Sequence, residues 1–94
     1  IEVIERIRNH LIRIERTAHG VVLDLPPTPA NNSDLQQFAA EEKRCCAFWG
    51  FDLQQNTDTV RLRWDGPPDT ATFMDHLVDY LEGRLPIGAL FGSP

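Results

Sequence analysis

The chain has 94 residues, enough for one domain with one modest core. Its 41% hydrophobic and 24% charged residues are a globular mix and argue against intrinsic disorder. No apolar run approaches the ~20 residues that a membrane helix needs, so a membrane partner is not expected. Net charge is −5, with nine basic residues spread among fourteen acids, which argues against nucleic acid as a partner.

Ile1, Ile4, Ile7 and Leu11 recur every three or four residues, joined by Val3, and predict an amphipathic first helix. The start, Ile1-Glu2-Val3-Ile4, reads as a trimmed or processed end and not as a signal peptide. The period then changes. Ile12 to Arg16 alternates apolar and polar residues, Thr17-Ala18-His19-Gly20 breaks the pattern, and Val21 to Leu25 is rich in strand formers, so a β-hairpin is expected. The rival reading is a first helix that reaches Arg16, followed by one strand.

Pro26 to Asn32 reads as a loop. Ser33 and Gln36 have capping-box spacing, which predicts a second helix from Ser33 to about Cys46. Gly50 interrupts, Phe51 to Gln54 alternates, and Asn56-Thr57-Asp58 turns the chain. Val60-Arg61-Leu62-Arg63-Trp64 is the clearest strand, with one buried face and one wet face. Gly66-Pro67-Pro68 ends it. Asp69 or Thr70 caps a last helix whose stripe is Phe73, Met74, Leu77, Tyr80 and Leu81, and Gly83 stops it. The expected product is a single α+β domain over residues 1–94. It has two layers: an antiparallel sheet of about four strands in hairpin-helix-hairpin-helix order, helices on one face, and an N-terminal helix before them. Leu85 to Pro94 forms an apolar tail that either folds back or meets a partner chain, a homodimer being the simplest case.

The second helix carries the chemistry. Projected at about 100° per residue, with Leu35 at zero, residues Phe38, Ala39, Glu42, Cys45 and Cys46 all fall within about 80° of Leu35. Glu42 is therefore expected inside an apolar face, where an unpaired carboxylate is costly. It precedes the two thiols by three and four positions, the neighbour spacing on a helix. One carboxylate oxygen and two sulfurs suit zinc or another thiophilic metal. A fourth ligand could come from His10, His19 or His76, and no spacing rule selects among them. There is no CxxC pair. Adjacent Cα atoms lie about 3.8 Å apart, below the usual disulfide span, so a staple is not expected and a reducing cytoplasm is the expected setting. A helix C-terminus and an ionised Glu42 both disfavour thiolate, which argues against a cysteine-based enzyme. Lys43 and Arg44 are expected to point away from the thiols.

Plainer readings compete. The cysteines can be small core residues, Glu42 can pair with a buried arginine, and each histidine can be a surface residue. Phe48, Trp49 and Phe51 are expected to fill the core at the helix-to-strand corner, and Arg61 and Arg63 to line the wet face of a strand. No phosphate loop and no Ser-His-Asp arrangement is visible, and no catalytic residue is assigned.

The segment Ala39-x-x-Glu42-x-x-Cys45-Cys46-x-Phe48, followed by Phe51-x-Leu53, resembles a motif of small bacterial proteins of uncharacterised function. Gly20-Val21-x-Leu23 resembles their upstream strand. Such segments occur alone or beside mercury-type metal-responsive regulators, and the resemblance implies handling of a thiophilic metal or metalloid. Ala47 stands where those proteins often carry Pro, a departure that removes no ligand. The first reading of function is thus a small cytoplasmic domain binding a soft metal or metalloid through Cys45 and Cys46, assisted by Glu42. The alternative is a homo-oligomerising or partner-docking module whose cysteines are structural. A third is an enzyme or small-ligand binder with Glu42 poised for proton transfer in a pocket lined by Trp49 and a histidine.

Overall fold

The computed structural model describes residues 2–86, so Ile87, Leu90 and Phe91 of the apolar tail lie outside the described residues. Helix α1 (Glu2–His10) is followed by strands β1 (Arg13–Arg16) and β2 (Gly20–Leu25), helix α2 (Pro29–Cys45), strands β3 (Gly50–Gln55) and β4 (Val60–Asp65), a 3-10 turn (Pro68–Thr70) and helix α3 (Ala71–Leu81). The hairpin-helix-hairpin-helix order and the leading helix are those expected. A first helix reaching Arg16 is excluded, because Arg13 to Arg16 pairs antiparallel with Val21 to Asp24.

The four strands form one antiparallel sheet in the order β1-β2-β4-β3, so the two hairpins join through β2 and β4. Leu23 lies opposite Leu62, Val21 opposite Trp64, and Leu53 opposite Leu62 on the other side. Period-two alternation therefore sends Val21, Leu23, Leu25, Val60, Leu62 and Trp64 to one face. All six are buried, together with Leu35 and Phe38 of α2, Met74, Leu77 and Tyr80 of α3, and Val3, Ile4 and Ile7 of α1. The opposite face is charged. There Asp24 is 4% exposed, and both its carboxylate oxygens accept hydrogen bonds from Arg61, from Nε at 2.7 Å and Nη2 at 3.1 Å. Arg61 and Arg63 do lie on this wetter face, and Arg63 donates to Asp65 at 2.9 Å.

Pairing of β2 with β4 leaves no space at Gly20. A Cβ built there would sit 1.7 Å from the Trp64 carbonyl oxygen. Gly83 ends α3 in a left-handed conformation, φ +85°, with Arg84 N–H bonding Asp79 O at 2.7 Å and Gly83 N–H bonding Tyr80 O at 3.0 Å. That pair of bonds is a Schellman stop at the expected glycine.

The start of α2 differs from the expectation. It begins at Pro29, four residues before Ser33, and Thr28 is the cap, its hydroxyl accepting from Asn31 N–H at 3.1 Å. Proline at the first helical position is well placed, since its missing N–H would be unpaired anyway. Asn31 turns its amide onto Pro26 O at 2.9 Å and is buried. The Ser33–Gln36 spacing falls inside the helix, where the backbone N–H groups already have carbonyl partners. No helix among the described residues is long and apolar enough to cross a membrane.

Candidate functional site

Helix α2 ends where Cys46 N–H bonds Glu42 O at 2.8 Å, and Cys46 itself leaves helical geometry with φ −135° and ψ 88°. The next four residues make a tight turn, closed by Trp49 N–H to Cys46 O at 3.2 Å. Lys43, expected to point away, folds over this turn and donates from Nζ to the Trp49 carbonyl. The corner between α2 and β3 is thus held by backbone bonds at both ends and by one ammonium.

The two cysteines are free thiols with different surroundings. Cys45 is exposed, while Cys46 is half-buried and packs against the core. The expectation that both face inward therefore fails for Cys45. It lies at the margin of the helical stripe, and the last turn of α2 extends beyond the core that covers Leu35 and Phe38. Glu42 is half-buried, not buried. Partial loss of water pushes its carboxyl above the ordinary 4.5, and neighbouring Glu41 adds to the rise. The Cys46 thiol is pushed above its ordinary 9.0, first by its hydrogen bond with the Cys45 thiol, then by burial and the Glu42 charge, while the Trp49 side chain acts the other way. These interactions bring Glu42, Cys45 and Cys46 within electrostatic reach of one another. They keep the resting Cys46 thiol protonated and weakly nucleophilic.

A closed four-ligand zinc centre does not fit. Among the described residues no group of three or more His, Cys, Asp and Glu side chains could hold a metal ion. His10 Nδ1 is engaged with Arg6 O at 2.9 Å in the first helix, and His19 and His76 are exposed on a turn and on α3. None of the three joins the thiols. What the donor set does offer is two adjacent sulfurs, one open to solvent and one seated against the core. Such a pair can take a soft ion that completes its shell from water or a small thiol.

An aromatic assembly joining this corner to the sheet was only partly legible. Trp64 is its centre, with Phe38 at 5.2 Å, Trp49 at 5.2 Å, Phe51 at 5.4 Å and Phe73 at 5.8 Å between ring centroids. Trp49 and Phe51 fill the corner as expected. Phe48 does not: it is 55% exposed, its ring tilted by 56° against Trp49 with centroids 4.6 Å apart. The convergence of Trp49, from a turn, with Trp64, from the middle of the sheet, carries no spacing signal in the sequence. Two cavities lie elsewhere. One, of about 480 Å³, is lined by Glu5, Arg8, Tyr80 and Arg84; the other, of about 300 Å³, by Thr28, Asn32, Gln55 and Asn56. Neither includes Glu42, Trp49 or a histidine, so neither is the pocket that a proton-transfer role for Glu42 would need. Set against family models, curated proteins and solved structures, the chain matches none of them.

Proposed function

We propose that the Cys45–Cys46 corner is a surface dithiol that captures a thiophilic metal or metalloid ion. The observation that carries this reading is a pair of free, sequence-adjacent thiols at the end of α2, one exposed for entry and one half-buried for retention. The resemblance of the surrounding segment to proteins found beside metal-responsive regulators supports the same chemistry. Binding replaces the thiol protons with the ion. Glu42 adjoins the sulfurs as a neighbouring carboxyl, and the two cysteines supply the ligating atoms. The ion class is soft, because sulfur donors select copper(I), zinc and heavier thiophilic ions over calcium and magnesium. The test is titration of reduced protein with cadmium(II), followed through sulfur-to-metal absorption. The full chain takes up one ion per dithiol, and the Cys45→Ser/Cys46→Ser variant takes up none. Equal uptake by both proteins removes the proposal.

A second reading of a different class has one observation in its favour. Strand β3 is a sheet edge, and the exposed Phe48 stands just before it. An apolar ring beside an open edge suits pairing with a second copy of this chain. Sedimentation of the wild type and of Phe48→Asp separates the readings. A dimer that the substitution dissolves supports assembly, and a monomer in both cases dismisses it.

A further inference from the structure

We propose that the cavity bordered by α1 and the end of α3 binds a small zwitterion of the α-amino-acid class, with its carboxylate on Arg8 and Tyr80 and its ammonium beside Glu5. The cavity measures about 480 Å³, a size that suits a small molecule. No residue of the dithiol corner lines it, so the two readings are independent.

Three lining groups carry chemistry that the fold leaves unused. Tyr80 is 2% exposed, yet among the described residues its hydroxyl has no partner in hydrogen-bond geometry. A buried hydroxyl normally has one. Arg8 is half-buried, and its guanidinium lies over the Tyr80 ring, with Cζ 4.9 Å from the centroid. Contact with a ring does not satisfy guanidinium N–H donors as an oxygen does. Arg6, Arg13, Arg16, Arg61, Arg63 and Arg84 each pair with a carboxylate. Arg8 pairs with none among the described residues. Arg84 also lines the cavity, but Asp79 and Glu82 already hold it, so it serves as a wall. Glu5, three positions before Arg8 on α1, is exposed and likewise has no ion pair among the described residues.

The surroundings select the ligand. Burial raises the Tyr80 phenol above its ordinary 10.0 and Arg8 acts the other way, so the hydroxyl keeps its proton and can donate it to an oxygen. Gly83 leaves the guanidinium uncovered on one side: a Cβ there would stand 3.4 Å from Arg8 Nη2. A carboxylate that enters between Arg8 and Tyr80 therefore accepts from both. The last turn of α1 and the stop of α3 both border the cavity, and helix C-termini favour positive charge. That field works against a bare anion and suits a ligand whose ammonium lies beside Glu5. Leu85 and Pro86 add an apolar wall, which fits an aliphatic side chain.

The experiment titrates L-leucine into the isotope-labelled full chain and follows the Gly83 backbone amide and the Arg8 Nε–H resonance. Both shift saturably. Isocaproate, which lacks the ammonium, and isoamylamine, which lacks the carboxylate, each bind at least about 10-fold more weakly. Tyr80→Phe removes an unsatisfied buried hydroxyl, so it keeps or raises the urea midpoint while its affinity for leucine falls by about 10-fold. Arg8→Gln loses more. Absence of a saturable shift in the wild type overturns the proposal. So does either truncated analogue that binds as tightly as leucine. A Tyr80→Phe variant that holds leucine as tightly as the wild type, or that unfolds at lower urea, overturns it as well, since the hydroxyl would then be uninvolved or already bonded. If Tyr80→Phe does not fold, Arg8→Gln decides, and undiminished affinity there overturns the proposal.

Discussion

Replacing Arg61 by Met should destabilise the domain more than replacing Asp24 by Asn, although both break the same ion pair. The inequality follows from burial. Asp24 is 4% exposed, and Arg61 supplies both of its charged hydrogen bonds, whereas the Arg61 side chain is 41% exposed. Arg61→Met keeps the aliphatic cover over Asp24 and removes the donors, so a carboxylate is left without a partner and short of water. Removing one member of a fully buried pair costs about 3–5 kcal/mol. Water beside the half-exposed position 61 reduces that to about 2 kcal/mol. Asp24→Asn leaves a neutral amide that still accepts one bond, and a guanidinium that stays hydrated, for a cost below about 1 kcal/mol. In a domain of this size each kcal/mol moves the melting temperature by about 4–8 °C. Arg61→Met should therefore lose about 8–16 °C and Asp24→Asn less than half of that. The double variant should be more stable than Arg61→Met, because it no longer buries an orphan charge. Urea denaturation at neutral pH, followed by tryptophan fluorescence, measures all three. An Asp24→Asn loss equal to that of Arg61→Met, or a double variant weaker than either, would refute the reasoning.

The cap of α2 can be located by comparing two substitutions: Thr28→Ala should cost about 1 kcal/mol, and Ser33→Ala, inside the helix, should be neutral or slightly stabilising. Chemical denaturation that shows the larger loss at Ser33 would return the helix start to the capping-box position. Gly20→Ala forces a Cβ onto the Trp64 carbonyl and should cost at least about 3 kcal/mol, while Gly50→Ala, whose Cβ would find its nearest neighbours at 3.9 Å, should stay within about 0.5 kcal/mol; similar melting temperatures for the two variants would contradict the β2–β4 register. The raised carboxyl of Glu42 makes a pH prediction. Between the ordinary 4.5 and its higher folded value the native state keeps a proton that the unfolded chain has released, so this contribution is complete below 4.5 and is lost as pH rises. Glu42→Gln should therefore gain stability on the wild type at about pH 7 and little at about pH 4, and a gain that is the same at both would show that the carboxyl is not desolvated.

Much of this architecture was legible because local periods differ. Val60-Arg61-Leu62-Arg63-Trp64 alternates strictly, and it is a strand whose odd and even sides are core and charge. The α3 stripe of Met74, Leu77, Tyr80 and Leu81 is buried as its spacing requires, and Gly83 stops the helix because only a residue without Cβ enters that backbone region cheaply. The adjacency of the two cysteines is likewise a property of the chain alone. Partnerships across the fold are different. Asp24 and Arg61 are far apart in sequence and meet only because β2 pairs with β4, so nothing local marks Asp24 as buried.

The thiol corner shows the same division most sharply. A helical projection states which side of its own axis a residue occupies, and it placed Glu42, Cys45 and Cys46 on the side of Leu35. It does not state how far along that axis the rest of the protein extends. The core covers α2 as far as Phe38 and thins toward the last turn, so Cys45 emerges into solvent and Glu42 stays half-covered. Cys46 escapes the projection altogether, because the cap residue no longer has helical dihedrals, and that turn of the backbone seats it beside Trp49. Sequence period determines the face of an element. Burial depends on what packs opposite, and that is settled only when distant segments have come together.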